Sequence, residues 1–558
     1  MWTLRAGIFL LPLAYSPFTY DSYVLPKLLL ARLVVAVLLV LFVAHIVATR
    51  TLVIKRTPLD IPIAAFIASA ALSSLFAENQ NVALFGTYAR YDGLLTLSTF
   101  AALFWLSVQA VADQAEARVL IRVLLASGYA VAATAIIQSV HDSIEQGVIL
   151  PAFGSLGNPN VLGGFLALVF ALAAGELLMA GSAASRIVLL NVLVMSGLAL
   201  LLSFSRSSWL GAAVGTAVVA ISQRRRLPRL RLVAPIFAVL VLALGAGYLL
   251  DGPGQLEHKV VARMMTVFDP NKIAGSRFGI WTDSLRLIAS RPVLGYGPDN
   301  VGLVYPRFQT GDWGVAGSLR QPIDKAHLEL LQVAATQGLI GAGAYAFLLV
   351  GFLRSFWRAR RIDQAVLVFA GWTAYQVAVQ LNFTALASAL PFWIFAAVAM
   401  VSCEAVRAKT LVTDRRLSLV LGPAVAAAAA LTLWGVVLPY LADARLRDAV
   451  TADYAGRPQE AQPLAAQARQ LAPRESVYAV EVGNVAFELD QWAAARAGYR
   501  EAAALGTFNA LVYRNLALAD RNLGLVLEAR DAARKAVELD RFDPANQALL
   551  AQFAGIKP

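Results

Sequence analysis

KAHLELLQVAATQGLIGAG (residues 325–343) opens an apolar helix directly after a long polar interval, Asp251–Lys325. That interval is the only extended polar segment within the first 440 residues, which are otherwise apolar. The chain of 558 residues is 59% hydrophobic and 15% charged, with mean hydropathy +0.64, outside the range of soluble domains. Apolar runs of near-bilayer length recur, and ten-residue alternating strands do not, so the pattern predicts a polytopic helical membrane protein and excludes an outer-membrane barrel.

Working outward, apolar segments fall at 5–20, 28–48, 60–77, 93–112, 119–139, 161–180, 187–203, 208–222, 232–250, 327–353, 364–381, 389–405 and 417–440. These predict 12–13 spans. The net charge of +12 is unevenly spread. Residues from Leu441 onward carry 14 Lys+Arg against 15 Asp+Glu, and the first 440 carry 33 against 20. The basicity therefore belongs to the membrane part and bears on topology, not on nucleic-acid binding. With the N-terminus inside, the inner turns hold Arg50, Lys55, Arg56, Arg118, Arg186, Arg224–Arg231, Arg354–Arg361 and Arg407–Arg416, while the short outer turns hold only Lys27, Arg90 and Arg206. This places Asp251–Lys325 and the C-terminal region outside. Cys403, the only cysteine, lies in an apolar helix, so neither a disulfide framework nor a cysteine metal site is expected.

The C-terminal region repeats at 34 residues: AGRPQEAQPLAAQARQL (455–471), LDQWAAARAGYREAAAL (489–505) and LGLVLEARDAARKAVEL (523–539). Ala461, Ala495 and Ala529 align, as do Ala468, Ala502 and Ala536. Small residues at fixed places let paired helices approach, and the pattern resembles tetratricopeptide repeats. The expected fold is all-α, with a membrane domain over 1–440 and an outer helical solenoid over 441–558 that binds an envelope protein partner.

Candidate chemistry sits at the outer turns. Arg206, in SFSRSSWLG, either grips phosphate through its planar fork or anchors a helix end. Arg90, flanked by Tyr88, Tyr91 and Asp92, is read as a sugar or phosphate contact or as part of an interfacial belt, and Lys27 as a phosphate contact or a helix anchor. Asn158 and Asn160 precede the sixth span, where one caps the helix and the other is left for a sugar hydroxyl. SRFGIWTDSLRLIASRPVLGYGPDN (276–300) reads as an amphipathic helix across the mouth of the site, with Ile280, Leu285 and Ile288 on a membrane face. A glycine-rich turn follows, and its Tyr296 is a further substrate contact. His327 is one of four histidines and is suited to proton transfer near neutral pH. No HExxH, CxxC or Walker loop is present, so no metal site is expected.

In this order, SFSRSSWLG, GNPNVLGGFLA, RFGIW, PVLGYGPDN and AHLELLQVAATQGLIGAGAY resemble the O-antigen ligase and O-antigen polymerase superfamily of bacterial envelope proteins, over roughly residues 10–405. The resemblance implies a cofactor-free, metal-independent glycosyltransferase in the bacterial inner membrane, working at its outer face. The donor would be a glycan on undecaprenyl diphosphate. The acceptor would be a growing glycan, lipid A-core or a protein hydroxyl. By position, Arg206 and Arg277 would hold the diphosphate, His327 would be the base, and 251–325 would close over the donor. Members often carry Asn after the His. Here Leu328 follows, which removes a polar helper. Rival readings are a protein O-oligosaccharyltransferase, a lipid-linked glycan transporter and a scaffold.

Overall fold

A chain this apolar must satisfy its backbone within each segment, and in lipid a helix does so. In the computed structural model, which describes residues 1–146, 150–223, 277–313, 315–316, 319–320, 322–412 and 415–553, the expected segments are helices. The segment expected at 232–250, the arginines of 224–231 and residues 251–276 of the polar interval lie outside the described residues. Among those described, six helices are long and apolar enough to cross a membrane: Leu25–Thr49, Gln114–Gln146, Pro159–Met179, Ala183–Leu202, Glu329–Ala359 and the Gly422–Tyr454 part of Arg415–Tyr454. Three shorter apolar helices accompany them, Asp60–Leu75, Leu94–Ala110 and Leu386–Ser402. The protein is built as a helical, polytopic membrane protein.

At the centre, Pro159–Met179 packs against Arg206–Ser222 and Asp363–Gln380. Glycines set this contact. A Cβ on Gly211 would stand 2.4 Å from the Ala374 carbonyl, and one on Gly215 2.7 Å from that of Ala370. Only backbones bare of side chains can touch so closely. The first apolar segment departs from expectation. It is helical only over Trp2–Leu10, and a nine-residue helix reaches less than half of a bilayer core. Pro12 and Pro17 follow and deny the backbone N–H groups that would continue it.

One end of the bundle carries an antiparallel ribbon, Thr51–Arg56 paired with Arg407–Val412. It joins two basic turns that pair Arg56 with Arg407, far apart in the chain, so both turns lie on one side, as their charge suggested. A second ribbon, Val315–Ala316 with Leu319–Arg320, is shorter, with two residues in each strand. These are the departures from an all-helical chain among the described residues.

At the other end, Glu329–Ala359 is broken at Gly338 (φ 67°, ψ −167°). The turn PVLGYG (292–297) docks its backbone into the break. Leu339 N donates to Pro292 O at 2.7 Å, Tyr296 N to Ala335 O at 3.0 Å and Gly297 N to Thr336 O at 2.8 Å. A Cβ on Gly338 would meet the Val293 carbonyl oxygen at 2.1 Å. Gly338→Ala is therefore expected to destabilise the protein by at least about 1–3 kcal/mol from backbone strain alone. The measurement is thermal unfolding in detergent, and an unchanged melting temperature would refute this account of the break.

Helix Arg277–Ser290 corrects one expectation. Ile280 and Ile288 do not face a membrane but pack with Leu287, Val304 and Tyr305, while Leu285 is exposed. The reason is Asp283, which is fully buried on the same helix. Its carboxylate accepts from Trp313 Nε1 (2.8 Å), Thr310 N (3.0 Å) and Thr310 Oγ1 (2.9 Å), and so straps residues 305–313 across the helix.

Arg415–Tyr454 runs unbroken past residue 440 into six further helices, Pro458–Leu471, Ser476–Glu488, Trp492–Ala504, Ala510–Asn522, Val526–Leu539 and Pro544–Ala551. Each packs on the next. Ala461, Ala468, Ala495, Ala502, Ala529 and Ala536 are all fully buried, which is the close approach that their spacing suggested. This region rests on the loops at the Gly338 end. Arg307 bridges Glu78 (2.7 Å) and Glu538 (3.1 Å), Asn79 Nδ2 donates to Ala504 O (3.1 Å), and Arg541 Nη2 donates to Pro306 O (2.6 Å). Buried Asp443 pins the joint: it accepts from Asp21 N (2.9 Å), Tyr88 OH (2.6 Å) and Tyr478 OH (3.2 Å).

Candidate functional site

The segment 322–328 carries Asp324, Lys325 and His327 between the polar interval and the Glu329–Ala359 helix. Lys325 is buried, and its Nζ donates to Asp92 (2.6 Å) and Asp299 (3.0 Å). Asp299 also accepts from Thr87 N (2.7 Å) and Thr87 Oγ1 (2.9 Å). Burial pushes the Lys325 pKa down, but Asp299 and Asp92 outweigh it and raise it above the ordinary lysine value. Arg90 closes on Asp324 with Nε at 2.7 Å and Nη2 at 3.3 Å, the two-pronged geometry that arginine favours. Three chain segments, 87–92, 298–300 and 324–327, are thus locked together by charge.

Backbone strain concentrates in the same place. Ala89 (φ 63°), Tyr91 (φ 54°), Asp299 (φ 57°) and His327 (φ 52°) all occupy the left-handed region that side chains avoid. Such strain persists where the surroundings over-determine the backbone, and it gathers at functional sites.

Opposite this network lies the turn Leu381–Asn382–Phe383–Thr384, between helices Asp363–Gln380 and Leu386–Ser402. Arg277 Nη1 donates to Leu381 O at 2.9 Å. His327 Nδ1 faces Asn382 Oδ1 at 3.4 Å. The His327 ring meets Phe383 edge-on at 5.4 Å, and the Arg90 guanidinium lies 5.7 Å from that same ring. Buried Glu329 accepts from Thr384 N at 2.7 Å, so it holds the turn and does not orient His327. Four neighbouring residues therefore collect Arg277, His327, Arg90 and Glu329.

Helix Arg206–Ser222 runs antiparallel to Asp363–Gln380: its far end meets the other's start through Gln223 Nε2 and Asp363 Oδ1 (3.1 Å), and Gly211 meets Ala374. Arg206, five residues before Gly211, comes level with the turn 381–384. The polar partner that Leu328 does not supply to His327 is Asn382, from elsewhere in the chain. Burial, then the charge of Arg277, lowers the His327 pKa and favours the neutral imidazole.

The remaining candidates are engaged by the fold. Lys27 is fully buried, and its Nζ donates to the carbonyls of Ala14 (2.6 Å), Tyr23 (2.9 Å) and Ser155 (2.6 Å), which uses all three hydrogens. Asn158 caps Pro159–Met179, accepting from Asn160 N (2.9 Å) and Val161 N (3.4 Å). Asn160 Oδ1 accepts from Ser205 Oγ (2.9 Å), beside Arg206. Tyr296 is buried, with its hydroxyl 2.8 Å from Ser290 Oγ and Arg291 over its ring at 4.5 Å. Beneath the charge network is a cavity of about 110 Å³ lined by Asp92, Asp299, Lys325 and Glu329 together with Phe100 and Trp393.

Sequence reasoning missed Asn382 and the Lys325–Asp92–Asp299 triad. Asn382 had a weak signal, as an amide in the short break between two apolar runs, with Gln380 just before it. The triad had none, because its members are distant in the chain. A family model described as O-antigen ligase matches residues 191–346, a stretch that includes Arg206, Arg277 and His327 but neither the 381–384 turn nor the C-terminal helices. No curated protein matches the chain.

Proposed function

We propose that this O-antigen ligase-like membrane protein transfers a glycan from an undecaprenyl-diphosphate carrier to an acceptor hydroxyl, at the outer face of the bacterial inner membrane. The observation that carries the reading is the gathering of Arg277 and His327 on the turn 381–384, with Arg206 level with it. The acceptor O–H attacks the anomeric carbon, and a new C–O bond forms as the bond to the diphosphate breaks. The leaving diphosphate takes the electron pair. Its charge is met by Arg206 and Arg277, whose planar forks match phosphate oxygens, so the step needs no metal. With Nδ1–H directed at Asn382 Oδ1, His327 Nε2 is free to take the acceptor proton. A single displacement with one base inverts the anomeric centre.

The basic turns at 51–56 and 407–412 lie at the opposite end of the bundle, and the positive-inside rule puts that end inside and this one outside. The helices of 441–558, with their 34-residue alanine repeat, form a tetratricopeptide-like platform beside the site, suited to an envelope protein or to the acceptor glycan. Arg90, held to Asp324, is assigned to the wall of the site. Glycan analysis of a deletion strain tests the reading. Short polymer on an intact carrier means polymerase; full-length polymer stranded on the carrier means ligase; loss of glycoprotein alone means protein transfer. Unchanged glycans of all three kinds would refute glycan transfer.

A further inference from the structure

The ribbon of Thr51–Arg56 and Arg407–Val412 lies at the end of the bundle away from His327. Helix Leu386–Ser402 begins beside the 381–384 turn and runs 17 residues, about 25 Å, to the start of the second strand. The ribbon has two unlike faces. Lys55 belongs to the face turned onto the protein: its Nζ donates to Val111 O at 2.6 Å, and its backbone N and O pair with the Gln109 amide. The opposite face reads, pair by pair, Leu52 with Leu411, Ile54 with Lys409, and Arg56 with Arg407. It passes from apolar to cationic along its length. Two arginines stand directly opposite each other, an arrangement that repels within a sheet unless an anion lies between them. The whole second strand is exposed. Among the described residues, no acidic side chain pairs with Arg56, Lys409 or Arg407.

We infer that this face binds the phosphate of an anionic phospholipid in the leaflet at the ribbon's end of the bundle, with Leu52, Leu411 and Ile54 against the acyl boundary and the three cations on the headgroup. The occupant follows from charge and place. Three cations with no acidic partner among the described residues call for an anion, and an apolar margin at the end of membrane helices calls for one that carries acyl chains. The inference is independent of glycan transfer at the other face.

The test uses the full chain purified in mild detergent and titrated with phosphatidylglycerol, phosphatidylcholine or inorganic phosphate, with bound species counted by native mass spectrometry. Phosphatidylglycerol is expected to bind, and the other two are not. Each cation near an anionic headgroup contributes about fivefold in affinity, so Arg56→Gln with Arg407→Gln should weaken phosphatidylglycerol binding roughly 25-fold. Equal binding of phosphatidylcholine would overturn the inference, as would capture of inorganic phosphate at similar strength or an unchanged double variant. Should the double variant aggregate, Lys409→Gln, at an exposed position, carries the same test with a drop of about fivefold.

Discussion

His327→Ala is expected to lower glycan transfer by roughly 10²–10⁴-fold, the usual contribution of a positioned general base, with membrane levels unchanged. The ring packs on Phe383 and Asn382 at the edge of the fold's charge network and is not part of that network. Its removal therefore costs chemistry before stability. The measurement is transfer from a lipid-diphosphate donor in membranes containing equal amounts of each protein. Asn382→Ala should act in the same direction with a smaller effect, because it releases the ring without deleting it. The pH profile separates the roles. Burial and then Arg277 hold the His327 pKa below its ordinary value, so the neutral base persists to lower pH. Arg277→Gln removes the second cause, lets the pKa rise and moves the acid limb of the residual activity to higher pH. Full transfer by His327→Ala, or an acid limb that stays in place in Arg277→Gln, would sink the assignment of His327 as base.

The second large effect is on folding. Lys325→Met leaves buried Asp299 and half-buried Asp92 together with no lysine between them. Breaking a buried pair by deleting one partner costs about 3–5 kcal/mol, because the remaining charge is uncompensated. Here two carboxylates are left, and the loss should remove much of the folded population. Size-exclusion profiles and melting temperatures in detergent read it directly. Asp92→Asn combined with Asp299→Asn and Lys325→Met, which removes the charges together, should recover part of the loss. A Lys325→Met protein as stable as the parent would mean that the triad does not hold the loops at this end of the bundle together.

Much of the fold was legible because lipid imposes one rule. A long apolar run must be a helix, and the described runs after the first are helices, most with boundaries within a few residues of those expected, although the last runs on to Tyr454. The charge asymmetry between turns was legible for the same reason, and the basic turns at 51–56 and 407–412 do meet. The first segment was misread in form, since Pro12 and Pro17 weigh on a helix more than hydropathy does. Ile280 and Ile288 were misplaced because an amphipathic face fits a protein surface as well as a membrane, and buried Asp283 decides between them.

By itself, the sequence determined the helical membrane class, the 34-residue alanine repeat and the candidates Arg206 and His327, because hydropathy, period and residue type are local properties; Arg277 entered only through the family resemblance. Only the tertiary structure decided which of the candidates meet. It spent Lys27, Asn158 and Tyr296 on the fold, brought Asn382 to His327, tied Asp92 and Asp299 to Lys325, and seated the C-terminal helices on the loops around the site. Hydrogen bonds and ion pairs act over about 3 Å in space, whatever the separation along the chain, and no local pattern records which distant segments will come that close.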